Sequence, residues 1–506
     1  MKNPKIKSIE EIAEIVEPLK AGKKKVVLCH GVFDLLHIGH IRHFEQAKAQ
    51  GDVLVVTVTP DRFVNKGPGR PAFPEDLRVE AIAGLKCVDF VAVNRWPMAC
   101  ETIELLRPNL FAKGGEYKEQ SKDRTGNISV EEQAIRQVGG EMILTDDVTF
   151  SSSSLINRHL SGNAPSVLQF LEQFSARYSS SDIIRCLENA KALKVLTIGE
   201  TIIDEYQYCE AIGKSSKEPM IAVRHLNTEK FAGGIVAVAN HLASVCDSVG
   251  MVSFLGADGA HEEIVHDKLS DNVDAQLLRY RRSPTIVKRR LIENYFFQKL
   301  IEVYEFNGAG DPDDDRELAH RLRDLVPQFD AVLVVDYGHG MINEESVKIL
   351  CEEARFLAVN AQSNAGNLGY HTISKYRRAD YISLTEGEIR LECRDRRGDL
   401  KRMILEVSRR LDCPRIMVTR GKNGCIAYCR EEGFFEIPAF ASKVVDRMGA
   451  GDSFVALTTP CMVQKAPMEI AGFIGNAVGA QAVATVGHRT STERIPLFRH
   501  IECLMK

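Results

Sequence analysis

Apolar and polar positions alternate in two long series along the 506 residues of this chain. In the first, Ile9, Ile12, Ile15 and Val16 recur at helical spacing and predict an amphipathic helix over residues 8 to 20. Apolar runs follow at Val26 to Cys29, Val53 to Val58, Phe90 to Val93 and Leu110 to Ala112. Each run reads as a buried strand, and helical stretches separate them. The spacing therefore predicts βα units around a parallel sheet, up to about residue 160. The pattern then breaks. Ser161-Gly162-Asn163-Ala164-Pro165-Ser166 and the polar run Ser179 to Ser181 bracket one connecting helix, Val167 to Tyr178. A second alternating series opens at Lys194, with strands expected at Val195 to Ile198, Ala331 to Val335 and Ile416 to Thr419. The expected organisation is an α/β domain over residues 1–160, a linker helix within 161–193, and a second α/β domain over 194–506.

Length supports that division, because 506 residues exceed what one hydrophobic core organises. A net charge of -4 leaves no electrostatic case for nucleic acid. No apolar run approaches bilayer length, and the start, Met1 to Lys7, lacks the apolar core of a signal peptide. The 13 cysteines show no CxxC pair and no Cys/His cluster at zinc spacing. These features predict reduced, mostly buried thiols in a cytoplasmic protein with neither membrane nor nucleic-acid partners.

Candidate chemistry in the first series centres on residues 30 to 40, His-Gly-Val-Phe-Asp-Leu-Leu-His-Ile-Gly-His. The segment lies where a strand hands over to the helical pattern Ile41 to Ala49. Helix N-termini present free N–H groups and a positive dipole end, which suit phosphate. His37 and His40 share a helix face, and Gly39 lets a nucleotide approach the backbone. Two surface histidines on an amphipathic helix have the same spacing, but the preceding strand and turn favour a nucleotide site. Downstream, Asn65 to Pro71 is a glycine-rich basic loop whose Lys66 and Arg70 are expected to clamp phosphates, with Arg78 as a third cation. Lys113-Gly114-Gly115-Glu116-Tyr117 follows another strand, and glycines there fit a ligand crevice. Ser151 to Ser154 lead into an expected helix, Leu155 to Leu160, as a further anion site, although a plain N-cap needs only one serine.

Taken together these residues resemble the nucleotidylyltransferase superfamily, and within it the adenylyltransferase domain of bacterial bifunctional ADP-heptose synthesis enzymes. The marks are GVFDLLHIGH, RPAFPEDLR, KGGEY and the serine run. The resemblance implies a Rossmann-like domain in which His37 and His40 stabilise the transition state at an α-phosphate and Lys66 holds phosphates. It implies a nucleotide site lined by Gly31, Phe33, Arg78, Lys113, Gly114, Ser151, Ser152 and Ser153. Mg²⁺ is expected on the phosphates, with no protein ligand assigned. Glycerol- and choline-phosphate cytidylyltransferases share the HIGH segment but carry an RTEGIST-like stretch where this chain has Val148-Thr149-Phe150 and serines. That favours ATP while leaving CTP open.

In the second series, Asp446 to Phe454 read Asp-Arg-Met-Gly-Ala-Gly-Asp-Ser-Phe ahead of an apolar helix. Gly449, Ala450 and Gly451 are placed to offer N–H groups to a phosphoryl charge, and Asp452 to accept a proton from an attacking alcohol. A glycine turn with an Asp N-cap would read the same way. Further signals are Gly199 to Asp204 after the first strand, Gly233-Gly234 before a small-residue helix, and Thr419 to Gly424 after a late strand. In this order the set resembles the ribokinase-like (PfkB) sugar kinases over 194 to about 495. The resemblance implies Asp452 as base and Gly449, Ala450 and Gly451 as the anion hole. It places Asp204, Gly233, Gly234 and Asp336 at the sugar, and Thr419, Gly421 and Gly424 at ATP. Glu388 orders Mg²⁺ indirectly. It also implies a homodimer through a lid, for which residues 209 to 230 are the candidate.

The chain departs from the family pattern at several points. The sugar-facing Asn of GGAxN is Ala237, the Asn of NxxE is Thr385, and the Thr of DxTGAGD is Met448. Val359 to Asn367 stand where the heptose kinases carry a DPKG-like segment, and their amides suit neutral hydroxyls better than a phosphate. The domain order is the reverse of the heptose enzymes. The expected function is a bifunctional sugar kinase and sugar-1-phosphate nucleotidylyltransferase making an ADP-sugar, heptose-like, for a surface glycan. Two alternatives stand beside it: a CTP-using transferase with another sugar or polyol, and an active transferase fused to a kinase-like domain that only binds sugar.

Overall fold

The computed structural model describes residues 3–114, 127–145, 152–157, 164–306 and 311–506. The chain divides into two compact units, residues 1–163 with 502–506, and residues 164–501.

The first unit is built on five parallel strands: β1 (Val26–Gly31), β2 (Val53–Val58), β3 (Phe90–Val93), β4 (Leu110–Gly114) and β5 (Glu141–Thr145), in the spatial order β3-β2-β1-β4-β5. Both faces of β1, β2 and β4 are covered, which is why these strands read as continuous apolar runs rather than alternating ones. Val26 and Leu28 face Ile12, Val16 and Ile103, whereas Val27 and Cys29 face Phe44, Ala47 and Ile82. Ser8 caps the first helix, Ile9–Ala21, in a reciprocal box with Glu11. The serine run begins a helix at Ser152–Leu155, several residues earlier than expected.

The second unit holds a nine-stranded sheet and a four-stranded one. The nine are β10 (Val273–Arg279), β9 (Ser248–Leu255), β6 (Lys194–Gly199), β13 (Ala331–Asp336), β14 (Leu357–Ala361), β15 (Tyr381–Thr385), β16 (Arg415–Thr419), β17 (Cys425–Cys429) and β18 (Gly433–Ile437), in that order. The first seven run parallel and the last two antiparallel. The smaller sheet orders β12 (Gln298–Glu305), β11 (Ile286–Glu293), β7 (Thr201–Lys214) and β8 (Ile221–Gly234). Helices Ile235–Ala243, Ala450–Val463 and Met468–Ala482 are buried over nearly their whole length, so their sequences are apolar all round.

The linker expectation is corrected. Residues 165–189 form two helices, Pro165–Ser175 and Ser180–Asn189, and both belong to the second unit. Phe174 stacks on Phe473 with centroids 4.7 Å apart, and Arg177 pairs with Glu469 at 2.6 Å. The apolar face that suggested a connecting helix is a packing face.

Candidate active sites

In the first unit the strand order reverses between β1 and β4, which opens a crevice at their carboxyl ends. The His37 to His40 segment lies there. His37 is the N-cap of helix Ile38–Ala49, its Nδ1 accepting from Gly39 N at 3.1 Å. The His37 and His40 rings stack with centroids 3.9 Å apart, and Phe33 meets His40 edge-on. Burial, followed by the charges of His37, His43 and Lys66, pushes His40 down to about 3. A neutral His40 offers a phosphate one N–H donor rather than a positive charge. Phe33 adopts a left-handed φ of 48°, and its ring fills the space that a Cβ on Gly31 would enter at 2.9 Å.

Two expected phosphate cations are structural instead. Arg78 is enclosed and donates to the carbonyls of Phe73, Val32 and Thr59 and to Asp61 at 2.5 Å. Its guanidinium ties the loops after β1 and β2 together, so the expected nucleotide contact is not available to it. Arg70 is likewise buried, 3.5 Å from Asp34 and donating to Asn157 at 2.7 Å. Lys66 is half-buried and close enough to His40 to act on its charge. Lys113, at the end of β4, pairs with buried Glu131 at 2.6 Å, and Gly114 follows it. Ser152 donates to Leu35 O at 3.2 Å, which brings the serine run against the His37 loop, and Ser153 is buried beside it. Ser151 and residues 115–117 lie outside the described residues.

In the second unit Asp452 lies in the first turn of helix Ala450–Val463. Its Oδ1 accepts from Gln362 Nε2 at 2.8 Å and from the Tyr337 hydroxyl at 3.2 Å. Burial raises its pKa, opposed by the charge of His488 and these two hydrogen bonds. The N–H groups of Ala450, Gly451 and Asp452 have no acceptor within the helix. Gly449 has φ 76°, and a Cβ there would lie 2.6 Å from His488. His488 in turn approaches Asp204 at 3.5 Å. Asp204 pairs with Arg290 at 2.5 Å, and a Cβ on Gly233 would fall 2.1 Å from its Oδ2. Gly234 begins helix Ile235–Ala243. Asp204, Gly233, His488, Gly449 and Asp452 thus form one cluster.

Asp336 departs from its expected sugar contact. It is buried and already accepts from Tyr376 at 2.7 Å, Gly338 N at 3.1 Å and Lys375. Glu200, beside it, accepts from Tyr337 N and His339 N, and burial with the Asp336 charge raises it to about 7. Glu388 caps its own helix with Thr385 and also accepts from Ser363 N at 3.0 Å. With both oxygens bonded to backbone, it suits Mg²⁺ only through water. Among the described residues no three His, Cys, Asp or Glu gather as a metal site. Thr419 ends β16, and Gly421 and Gly424 form the tight turn after it, closed by Arg420 N to Gly424 O at 2.7 Å.

Sequence reasoning missed Lys288, Arg290, His339 and His488, and read Gln362 only as one of the amides of the 359–367 segment. Lys288 and Arg290 were signalled only by their alternation on one strand. Lys288 is buried, its Nζ 5.1 Å from the Tyr304 ring centroid and within reach of the charges of Asp204 and Glu302. His339 Nε2 is buried without a hydrogen-bond partner among the described residues. The amides of the 360–367 segment are hydrogen-bonded within the protein, Asn360 to Ser383 O and Gln362 to Asp452. Asn364 and Asn367 donate to Tyr337 O at 2.7 and 2.9 Å.

Comparison with known proteins finds two families along the chain. Residues 28–186 match the cytidylyltransferase-like family, and residues 192–495 match the pfkB family of carbohydrate kinases. Bifunctional protein HldE of Desulfatibacillum aliphaticivorans is 40% identical over 154 residues, 30% of this chain and 30% of that protein. HldE of Geobacter metallireducens is 41% identical over 115 residues, 22% of this chain and 24% of that one. The matched segments therefore span less than a third of these relatives. Phosphofructokinase-2 from Escherichia coli, solved with potassium and with fructose-6-phosphate, superposes with a TM-score of 0.51 at 16% identity. Each covers 62% of this chain and 100% of the solved one, a likeness of fold alone. The kinase match takes in well over half of the sequence, and the chain belongs to the pfkB family of carbohydrate kinases, with a cytidylyltransferase-like domain preceding the kinase domain.

Proposed function

We propose that the protein is a cytoplasmic bifunctional enzyme of activated-sugar synthesis, a sugar kinase joined to a sugar-1-phosphate adenylyltransferase. Its product is an ADP-sugar, heptose-like, for a surface glycan. The observation that carries the reading is the grouping of Asp452, Gly449, Asp204, Gly233 and His488 around one point at the start of a buried helix. There a sugar hydroxyl attacks the γ-phosphorus of ATP, Asp452 takes the proton, and the first-turn N–H groups meet the phosphoryl charge. Glu388, its two oxygens held by backbone N–H groups, would meet Mg²⁺ only through water, and the ion would supply charge neutralisation at the ATP phosphates.

The far end of the sugar is proposed to be anionic. Lys288 and His339 are buried donors that a phosphate would satisfy, and Arg290 lies on the same strand as Lys288. The amides that suggested a neutral sugar are engaged with the protein's own carbonyls and with Asp452.

In the first unit the nucleophile is a sugar 1-phosphate oxygen, already anionic, so no general base is required. It attacks the α-phosphorus of ATP and pyrophosphate leaves. His37 and His40 donate to the phosphate oxygens, Lys66 holds the leaving group, and each well-placed donor contributes roughly 3 to 4 kcal/mol. A homodimer through the four-stranded sheet completes the proposal. Ile212, Met220, Ile221, Ile301 and Val303 are exposed on its strands β7, β8 and β12 and on the turn between β7 and β8.

Phosphorus NMR of the full chain with Mg²⁺, ATP and a panel of heptoses and their 1- and 7-phosphates tests both halves. Expected are ADP with a new sugar phosphate, and pyrophosphate from a 1-phosphate. Asp452→Asn should abolish only the first, and His37→Ala with His40→Ala should slow only the second, about a hundredfold or more. Pyrophosphate from CTP in place of ATP would overturn the adenylyl assignment. ADP formation unaffected by Asp452→Asn would overturn the kinase.

A further inference from the structure

We propose that Gln362 is the positioning residue of the kinase site, its amide holding Asp452 Oδ1 so that Oδ2 is the oxygen that takes the sugar proton. The inference rests on the kinase reading of Asp452. Gln362 lies one residue beyond β14, and its Nε2 has two acceptors, Asp452 Oδ1 at 2.8 Å and Asn360 Oδ1 at 2.9 Å. Asn360 is fixed in turn, its Nδ2 donating to the Ser383 carbonyl at 2.7 Å. This chain of bonds settles which way each amide points. A backbone carbonyl only accepts, so Asn360 turns Nδ2 toward it and Oδ1 toward Gln362. Gln362 must then present nitrogen to Asn360, and the same nitrogen to Asp452. A flipped amide would set its oxygen against a carboxylate.

Tyr337 supplies the second donor to the same oxygen at 3.2 Å. Burial beside Asp452 holds its hydroxyl protonated, its pKa raised well above the ordinary tyrosine value. Oδ1 therefore carries two donors, whereas Oδ2 accepts no hydrogen bond from any described residue. In the reaction the sugar O–H bond breaks, its proton passes to Oδ2, and its oxygen forms the new bond to the γ-phosphorus. The γ-phosphorus bond to the bridging oxygen breaks and ADP leaves with that electron pair. Gln362 touches neither substrate nor phosphate in this step. It fixes the side-chain torsion of the base and, being neutral, steadies the carboxylate without the basicity loss that an ammonium at 362 would cause.

Two measurements on the full chain test this. The first is the pH profile of ADP formation for wild type, Gln362→Leu and Gln362→Lys. Loss of the hydrogen bond should raise the acid limb of kcat/KM by roughly one pH unit and lower kcat about tenfold, with KM for ATP unchanged. Gln362→Lys should move the limb downward. Parallel profiles that differ only in height would overturn the proposal. The second is a melting-temperature cycle at pH 8 with Gln362→Leu, Asp452→Asn and the double variant. Gln362→Leu should cost markedly more when residue 452 is an ionised Asp than when it is Asn, and an additive cycle would overturn the proposal. Coupling in the cycle without ADP from any sugar would uphold the clamp and overturn the kinase reading instead.

Discussion

Asp204 shows how one residue in this molecule depends on several elements. Its carboxylate faces Arg290 from β11, His488 from a late loop, and the space left by the missing side chain of Gly233 on β8. The sequence signal at Gly233-Gly234 was a small-residue pattern, and the structure gives it a cause: Asp204 occupies the position of a Cβ. Gly233→Ala must push Asp204 off Arg290 and leave two buried charges imperfectly paired. The expected cost is about 3 kcal/mol of stability, with ADP formation lost and pyrophosphate formation kept. Calorimetry and the two product assays check this. Full kinase activity in the alanine variant would mean that Asp204 is free to move.

At the scale of elements, the smaller sheet is the part least visible beforehand. β7 and β8 are each fourteen residues long; β7 is buried over most of its first nine residues and β8 only over its last four. β12 is exposed along nearly all of its length. A strand with both faces wet has no strong alternation, so no pattern announced β12. An exposed sheet carrying Ile221 and Ile301 is an unstable surface for a monomer in water. If the proposed dimer uses it, Ile221→Lys with Ile301→Lys should halve the mass measured by light scattering. An unchanged mass would place any dimer contact elsewhere. Arg78 belongs to this scale too. Its position in a helix suggested a free cation, but three carbonyls and Asp61 converge on it.

For the whole molecule, buried neutral histidines set the response to acid. Burial pushes His30, His40 and His241 down to about 3, and His339 and His500 to about 4. Unfolded, each binds a proton near pH 6.5, so below that value the unfolded chain holds more protons than the folded one. Stability is therefore complete above about 6.5 and falls as pH drops toward 4. The slope is about 1.4 kcal/mol per pH unit for each histidine in the cooperative unit that melts. Glu200 works oppositely. Raised to about 7, it binds a proton more tightly when folded and loses that contribution as pH climbs from the ordinary carboxylate range through 7. Melting temperatures should fall steeply between pH 6.5 and 5, and a flat profile there would show these histidines to be solvated.

The sequence by itself determined both α/β units, the buried strands β1 to β4, β6, β13 and β16, and the loops that carry His37, His40 and Asp452. Those features are local: a strand buried on both faces must be apolar throughout, and a helix start that meets phosphate needs glycine and donors within a few residues. Tertiary structure decided the rest. It turned Arg70, Arg78 and Asp336 from ligand contacts into internal ties, and it joined residues 165–189 to the second unit. It also brought Gln362 to Asp452 and His488 to Asp204 from separate elements. A charged or amide side chain reads the same in a sequence whether it faces a substrate or a neighbouring carbonyl. Only the folded surroundings fix which partner it meets, because desolvation penalises a buried polar group that has none.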